Sequence, residues 1–201
     1  MTSTLRAQSY FYTYKPSAKN FAAFMVNIAV SRKKNQIWML YRDPVARIKS
    51  FYRDAFHTHP KRMLNERESL QSNYWRASQR LFFPHLGLSN QSDDTEISET
   101  LTSTSFEAMV SGLRKIWWKD AHLAPQVFQL YFKYKALAFS IKPDIYLDIE
   151  NPDTALQLST KDIDVSKKKN CSEAKTDLVV KPESLVVLKT IYSEDFQRFN
   201  L

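Results

Sequence analysis

The sequence predicts an α/β fold in which a short parallel sheet is flanked by helices. Two aromatic or apolar runs are each followed by a helical pattern, and a third stretch near residue 145 alternates polar and apolar residues. Runs of this length and composition are typical of short strands. With 201 residues, the chain is ample for one hydrophobic core and short for two, so we expect a single domain over residues 1–201.

The first strand-to-helix pair opens the chain. Residues 8–14 are rich in aromatic and β-branched side chains and favour a strand. A basic, polar turn over residues 15–20 follows, and then Phe21, Phe24, Met25 and Ile28 recur at the spacing of an amphipathic helix. A strand, a basic turn and a helix form the local geometry of a phosphate-binding loop.

The second pair begins with the apolar run from Ile37 to Leu40, which predicts a buried strand. Asp43 is then the expected N-cap of a helix, with Pro44 at its first position. Together with the first pair this gives a right-handed parallel βαβ unit. The turn over residues 15–20 and the turn at Arg42-Asp43 then both lie at the carboxyl ends of parallel strands, where open α/β sheets bind ligands.

Helical spacing divides the residues after Pro44 between two faces. Val45, Ile48, Tyr52 and Phe56 are predicted to face the core. Arg47, Ser50 and Asp54 fall on the opposite stripe. A guanidinium and a hydroxyl beside a helix start suit an anion, while a well-capped helix with a solvated face is the simpler alternative.

The remaining chain is predicted to be mainly helical. A helix over residues 63–83 is expected to end at Pro84, and the polar, acidic residues 89–104 have the composition of a mobile loop. A helix capped by Ser105 is expected to run to about Trp118, a strand to occupy residues 144–150, and a last helix to begin at Pro182.

Composition limits the partners and the compartment. The net charge of +8 predicts attraction to an anion such as a nucleotide, a nucleic acid, an acidic membrane or an acidic glycan. The single cysteine, Cys171, excludes an intramolecular disulfide and a cysteine-rich zinc site. The longest apolar run, residues 21–30, is too short to span a bilayer. We expect a soluble cytoplasmic protein, and a membrane-anchored precursor stays open.

One motif resembles a known family. Arg42-Asp43-Pro44, followed by Arg47, Ser50, Phe51 and Tyr52, closely resembles the 3′-phosphate-binding signature of sulfotransferases that use 3′-phosphoadenosine-5′-phosphosulfate (PAPS), especially the carbohydrate branch. The similarity extends to three further stretches, which are Ser105-Phe106-Glu107, Asp120-x-His122-x-x-Pro125-Gln126, and Ile191-Tyr192-x-x-Asp195-Phe196-x-x-Phe199. It implies a P-loop NTPase-like sulfotransferase fold.

The resemblance also implies a reaction, transfer of a sulfuryl group from PAPS to a carbohydrate hydroxyl, with release of adenosine 3′,5′-bisphosphate. By analogy Arg42 and Ser50 bind the 3′-phosphate, with Arg47 supporting. The 5′-phosphosulfate falls to a loop that contains Lys15, Ser17, Lys19 and Asn20. No metal and no nucleic acid is implied.

Two residues are the candidates for catalysis. Lys15 superposes on the family lysine and would neutralise charge on the leaving nucleotide. His122 is a candidate general base, because imidazole is neutral near pH 7. The alternatives are that Lys15 is a solvated surface lysine, and that His122 only organises the cleft through a hydrogen bond to Asp120.

The lysine loop departs from the family pattern and leaves other functions open. Tyr14 stands where the family has proline, and the usual glycines are absent. A catalytically inactive relative that binds a nucleotide or a glycan is therefore an alternative. A basic nucleic-acid-binding protein is a second one, supported by charge and aromatic content but by no recognised nucleic-acid-binding motif.

Overall fold

A computed structural model describes residues 38–66, 76–120, 122–134, 137–140, 142–151, 153 and 178–201. The strand predicted over residues 8–14, the helix after it and the basic turn between them lie outside the described residues. The predicted βαβ unit lies partly outside them for the same reason.

The chain divides into two compact units, each built from two stretches of sequence. The first unit comprises residues 1–42 and 126–168, and the second comprises residues 43–125 and 169–201. The chain passes from one unit to the other after Arg42, after Pro125 and after Lys168. The described part of the first unit is mainly strands, and that of the second is mainly helices.

The described strands of the first unit form two small sheets. Their bounds are β1 Trp38–Tyr41, β2 Tyr131–Tyr134, β3 Leu137–Ser140 and β4 Ile145–Asp148. β1 and β4 are parallel, with Met39 opposite Tyr146 and Leu40 opposite Leu147. β2 and β3 form an antiparallel pair. Strands are thus present within both predicted stretches, at Trp38–Tyr41 and at Ile145–Asp148, and a short parallel sheet in a mixed α/β chain is confirmed.

The described helices of the second unit are α1 Pro44–Tyr52, α2 His59–Glu66, α3 Arg76–Leu86, α4 Asp94–Ser103, α5 Phe106–Leu113, α6 Pro182–Ile191 and α7 Ser193–Phe199. A π-helical turn, Arg53–Thr58, joins α1 to α2. Most of the described chain is therefore helical.

Helix α1 begins as the sequence predicts. Pro44 is its first residue, and the Asp43 carboxylate accepts a hydrogen bond of 2.7 Å from the backbone N–H of Ala46. The cap satisfies one of the backbone donors that every helix start leaves unpaired. The first turn of α1 is thus fixed by a local interaction.

The core of the second unit is aromatic and aliphatic. Ile48 and Phe56 are fully buried, and Tyr52 is nearly so, as their helical spacing predicts. Phe56 packs edge-to-face against Phe82 of α3, with ring centroids 5.2 Å apart. Such aromatic pairs add roughly 1 kcal/mol to the free energy of unfolding beyond the area they bury.

The prediction that Pro84 ends a helix is wrong. Helix α3 continues through Pro84 to Leu86 and ends at Gly87, whose φ of +73° places it in the left-handed region. The N–H of Leu88 then donates to the carbonyl of Phe83 at 3.0 Å, the hydrogen bond of a Schellman motif. Glycine adopts this conformation without steric cost, so Gly87 ends the helix.

The prediction of a mobile loop over residues 89–104 is also wrong, because α4 fills most of it. The Asp93 carboxylate caps the helix by accepting from the N–H of Glu96 at 2.8 Å. Ile97 and Leu101, one turn apart, are buried. Two apolar residues at this spacing anchor the helix although the segment is otherwise polar.

The helix capped by Ser105 is shorter than predicted, and the last helical stretch is divided in two. The helix capped by Ser105 ends at Leu113 and is followed by a separate 3₁₀ turn, Trp117–Lys119. The helix that begins at Pro182 ends at Ile191, and α7 starts after Tyr192. The buried Tyr192 leaves helical geometry, with φ −102° and ψ 22°.

Replacing Asp43 with alanine tests the cap of α1. Asp43→Ala should lower the free energy of unfolding by about 1 kcal/mol, because the Ala46 N–H loses its acceptor. Asp43→Asn should retain most of the stability, since asparagine caps nearly as well. Urea denaturation measures both. Equal stability of Asp43→Ala and the unaltered protein would show that the cap contributes nothing.

Candidate functional site

Arg42 directly follows the parallel strand β1 in the first unit. Its Nε lies 2.6 Å from a carboxylate oxygen of Glu150, which comes two residues after β4. Both side chains are more than a third exposed, at 35% and 42%. An ion pair this exposed contributes at most about 1 kcal/mol, so Glu150 orients the guanidinium more than it stabilises the unit.

The main chain of Arg42 is held by Gln126. The Arg42 N–H donates to Gln126 Oε1 at 3.0 Å, and Gln126 Nε2 donates to the Arg42 carbonyl at 2.7 Å. Gln126 is buried, with 6% of its surface exposed. One amide side chain thus satisfies both polar groups of a residue that no longer belongs to the strand.

In the second unit, the side chain of Arg47 on α1 binds the segment that contains His122. Its two terminal nitrogens donate to the carbonyl oxygens of His122 at 3.0 Å and of Ala124 at 2.7 Å. The planar guanidinium fork allows both contacts at once. These two bonds hold the backbone on either side of Leu123.

Tyr192 holds the carbonyl between those two. Its hydroxyl donates to the Leu123 carbonyl at 2.6 Å, and its ring lies under the Arg47 guanidinium, 5.2 Å from ring centroid to Cζ. Burial is the main factor that raises the pKa of the Tyr192 phenol, so the hydroxyl stays protonated and remains a donor. Arg47 and Tyr192 together therefore bind three consecutive carbonyls.

Tyr52, at the end of α1, contacts a further stretch of the second unit. Its hydroxyl donates to the Thr104 carbonyl at 2.7 Å, and its ring meets Phe106 edge-to-face at 5.3 Å. Thr104 and Phe106 flank Ser105, whose side chain caps α5. The stretches named in the family resemblance are thus in direct contact within this unit.

His122 and Asp120 form a hydrogen-bonded pair. Asp120 Oδ1 lies 3.0 Å from His122 Nδ1 and accepts from the His122 backbone N–H at 2.6 Å. The His122 side chain is 40% exposed, whereas that of Asp120 is 13% exposed. With Nδ1 protonated toward the carboxylate, Nε2 is the ring nitrogen that carries the basic lone pair.

Ser78 on α3 completes this pair. The buried Ser78 hydroxyl donates to Asp120 Oδ2 at 2.8 Å. Burial alone would raise the pKa of the Asp120 carboxyl, but the hydrogen bonds from His122 and Ser78 outweigh it and lower the pKa below 3.8. Asp120 is therefore ionised at neutral pH and acts as an acceptor on both oxygens.

The predicted site residues divide into three groups. Lys15, Ser17, Lys19 and Asn20 lie outside the described residues. Arg42 belongs to the first unit, and Arg47, Ser50 and His122 belong to the second. Ser50 is half-buried on α1, and its hydroxyl has no hydrogen-bond partner among the residues that the structure describes.

Two contributors were not expected from the sequence. Gln126 belongs to one of the stretches of the family resemblance, but the sequence does not indicate that it binds the Arg42 main chain. Ser78 carries no sequence signal, because a serine within a polar helical stretch is usually solvated, and only the fold brings it to Asp120. Glu150, at the end of the segment predicted as a strand over residues 144–150, contacts the basic side chain of Arg42.

Searches for a metal site and for a membrane span were negative over the described part of the chain. No group of three or more histidine, cysteine or acidic side chains there is arranged to hold a metal ion. None of the helices within the described ranges has the length and hydrophobicity needed to cross a membrane.

Comparison of the chain with protein-family models, with curated proteins and with solved structures yields no match.

Replacing Asp120 with asparagine tests its ionisation. Since the pKa is lowered on folding, the carboxylate stabilises the fold above pH 3.8, and this contribution disappears as the pH falls below that value. The unaltered protein should therefore be more stable than Asp120→Asn at pH 7, and the difference should shrink on acidification below pH 4. Urea denaturation at several pH values gives the difference, and a difference independent of pH would contradict the assignment.

Proposed function

We propose that the chain is a PAPS-dependent sulfotransferase that transfers a sulfuryl group to a carbohydrate hydroxyl, and that it has the P-loop NTPase-like fold of that family. The proposal begins from the resemblance of the Arg42-Asp43-Pro44 motif. Support comes from local structure, since a strand ends before this motif and a capped helix begins within it.

The contact between Gln126 and the main chain of Arg42 carries the proposal. The two residues are 84 positions apart and belong to two different stretches of the resemblance, yet one side chain makes both hydrogen bonds. Chance similarities in two separate stretches would have no reason to meet in space. The contact therefore supports the proposal that both residues contribute to one site.

Arg42 and Ser50 are the proposed ligands of the nucleotide 3′-phosphate. A guanidinium matches the geometry of phosphate oxygens, and a hydroxyl can complete the set. Glu150 contacts Arg42 through Nε, so the two terminal nitrogens are the part of the fork that would contact phosphate. No metal is required for this recognition.

The proposed binding site for the 5′-phosphosulfate is the loop that contains Lys15, Ser17, Lys19 and Asn20. In the reaction the acceptor oxygen attacks sulfur, and the bond from sulfur to the 5′-phosphate oxygen breaks. Negative charge develops on that leaving oxygen. A lysine ammonium beside it stabilises the transition state, as in the related transfer of phosphoryl groups.

His122 is the proposed general base. Asp120 orients its ring through Nδ1, so Nε2 would take the proton of the acceptor hydroxyl as the new oxygen–sulfur bond forms. The ionised Asp120 also stabilises the imidazolium that results. A carboxylate that holds a catalytic imidazole in one tautomer is a recurrent arrangement in enzymes.

A second candidate function is nucleotide binding without transfer of the sulfuryl group, by a catalytically inactive relative of the sulfotransferases. It is favoured by the lysine loop, which lacks the glycines and the proline of the family pattern. Binding of adenosine 3′,5′-bisphosphate without sulfate transfer to any acceptor would identify it. A nucleic-acid-binding protein would instead bind with a steep salt dependence and show no preference for the bisphosphate.

Replacing Arg42 tests the nucleotide assignment. Arg42→Ala should weaken PAPS binding by about tenfold or more, because a charge-assisted contact to phosphate is lost. Arg198→Ala is the matched control, since Arg198 is exposed near the end of α7. Calorimetric titration with adenosine 3′,5′-bisphosphate measures both affinities. Equal affinities of the two variants would remove Arg42 from the site.

Replacing His122 tests the base assignment. His122→Ala should lower kcat by roughly 100-fold or more and leave the KM for PAPS little changed, because only proton transfer is impaired. His85→Ala, which removes an exposed histidine near the end of α3, is the control. The pH dependence of kcat provides the second readout. An acidic limb that persists unchanged in His122→Ala would exclude this histidine as the base.

A further inference from the structure

We propose that Arg47 is a positioning residue for His122 and that it does not contact the nucleotide. This inference rests on the proposed function and changes one part of it, since the resemblance gives Arg47 a supporting role at the 3′-phosphate. In the structure, Arg47 directs both terminal nitrogens at the main chain around His122.

The guanidinium is already committed to protein acceptors. Its terminal nitrogens bind the His122 and Ala124 carbonyls at 3.0 and 2.7 Å. Nε is buried and has no hydrogen-bond partner within the described ranges. A phosphate could engage this fork only by displacing two carbonyls, which would leave them without their donors at a cost in free energy.

Tyr192 closes the other side of the guanidinium. The ring centroid lies 5.2 Å from Cζ, and the tyrosine is fully buried. The same tyrosine binds the Leu123 carbonyl. An anion next to Arg47 would have to enter a space that an aromatic ring and three carbonyl-directed hydrogen bonds already define.

The arrangement fixes the backbone that carries the base. His122 is held at its own carbonyl by Arg47 and at its ring by Asp120. Asp120 in turn is held by Ser78 on α3. A general base must lie within hydrogen-bond distance of the proton that it accepts, so loosening the carbonyl contacts should slow proton transfer and leave nucleotide binding intact.

Arg47, which binds the His122 segment, lies on the same helix as a proposed nucleotide ligand. Ser50, a proposed nucleotide ligand, lies one helical turn later on the same helix. Through Arg47, one rigid element therefore carries a nucleotide-binding residue and holds the segment of the general base. The spacing of the two residues in the motif would then reflect this double use of α1.

The test compares Arg47→Lys with Arg198→Lys. Lysine keeps the charge but cannot span two carbonyls or reproduce the planar stacking on Tyr192. We expect Arg47→Lys to bind adenosine 3′,5′-bisphosphate within about twofold of the unaltered protein. We expect its kcat with saturating PAPS and acceptor to fall by about tenfold or more. Arg198→Lys should match the unaltered protein in both.

A second variant guards against loss of folding. Tyr192→Phe keeps the ring under Arg47 and removes only the donor to the Leu123 carbonyl. It should lower kcat in the same direction by a smaller factor, with the nucleotide affinity again unchanged. Circular dichroism of each variant establishes that it is folded before the kinetic comparison is made.

NMR of the histidine rings gives a readout that needs no turnover. The His122 ring nitrogens can be assigned by comparison with His122→Gln, because the chain has only four histidines. In the unaltered protein we expect the neutral tautomer protonated on Nδ1. In Arg47→Lys the His122 nitrogen shifts should change, while those of exposed His85 should not.

Two results would overturn the inference. A bisphosphate affinity that falls about tenfold in Arg47→Lys would make Arg47 a nucleotide ligand. Unchanged kcat and unchanged His122 shifts would mean that the two carbonyl contacts do not position the base. If the unaltered protein transfers no sulfate, the proposed function fails, and the shifts alone decide whether Arg47 positions His122.

Discussion

The hydrogen bonds from Arg47 to the carbonyls of His122 and Ala124 are the interaction on which the second unit's candidate site depends. Residues 122–124 lie in turns, outside any helix or strand, so their carbonyls have no ladder to satisfy them. Arg47 and Tyr192 supply the missing donors from two helical regions far apart in sequence. These hydrogen bonds hold the main chain of a segment without secondary structure, and so hold the Cα atom from which the His122 side chain extends.

The two arginines of the Arg-Asp-Pro motif illustrate how one residue type serves two physical roles. Arg42 is more than a third exposed, and its ion pair with Glu150 is also exposed, so its guanidinium is accessible to solvent. Arg47 is surrounded by carbonyls and an aromatic ring, an environment that uses the shape of the guanidinium as much as its charge. The family resemblance assigns both arginines to the 3′-phosphate, and the spacing of the motif cannot separate these roles.

Some local features of the fold follow from the sequence, whereas contacts between distant residues do not. The Asp43 cap and the burial of Ile48 follow from residue type and spacing within a few positions. Helix α3 continues through Pro84 and ends at Gly87, where the Leu88 N–H donates to the Phe83 carbonyl five residues earlier. The expectation that a proline ends a helix does not take this later end into account. The contact from Ser78 to Asp120 spans 42 positions and has no local trace. The assignment of Arg42, Ser50 and the lysine loop to a nucleotide remains a prediction from resemblance.

The proposed function requires that the chain bind a nucleotide through its 3′-phosphate. A thermal-shift titration with adenosine 3′,5′-bisphosphate and with AMP, at matched ionic strength, tests it most directly. The two ligands share the adenosine and the 5′-phosphate and differ in the 3′-phosphate. A ligand that binds only the folded state stabilises it by about 2.7 kcal/mol at 100 times its Kd. We expect the bisphosphate to raise Tm and AMP to leave it unchanged. In Arg42→Ala, the bisphosphate should no longer raise Tm. Equal shifts with both nucleotides, or none with either, would contradict this expectation.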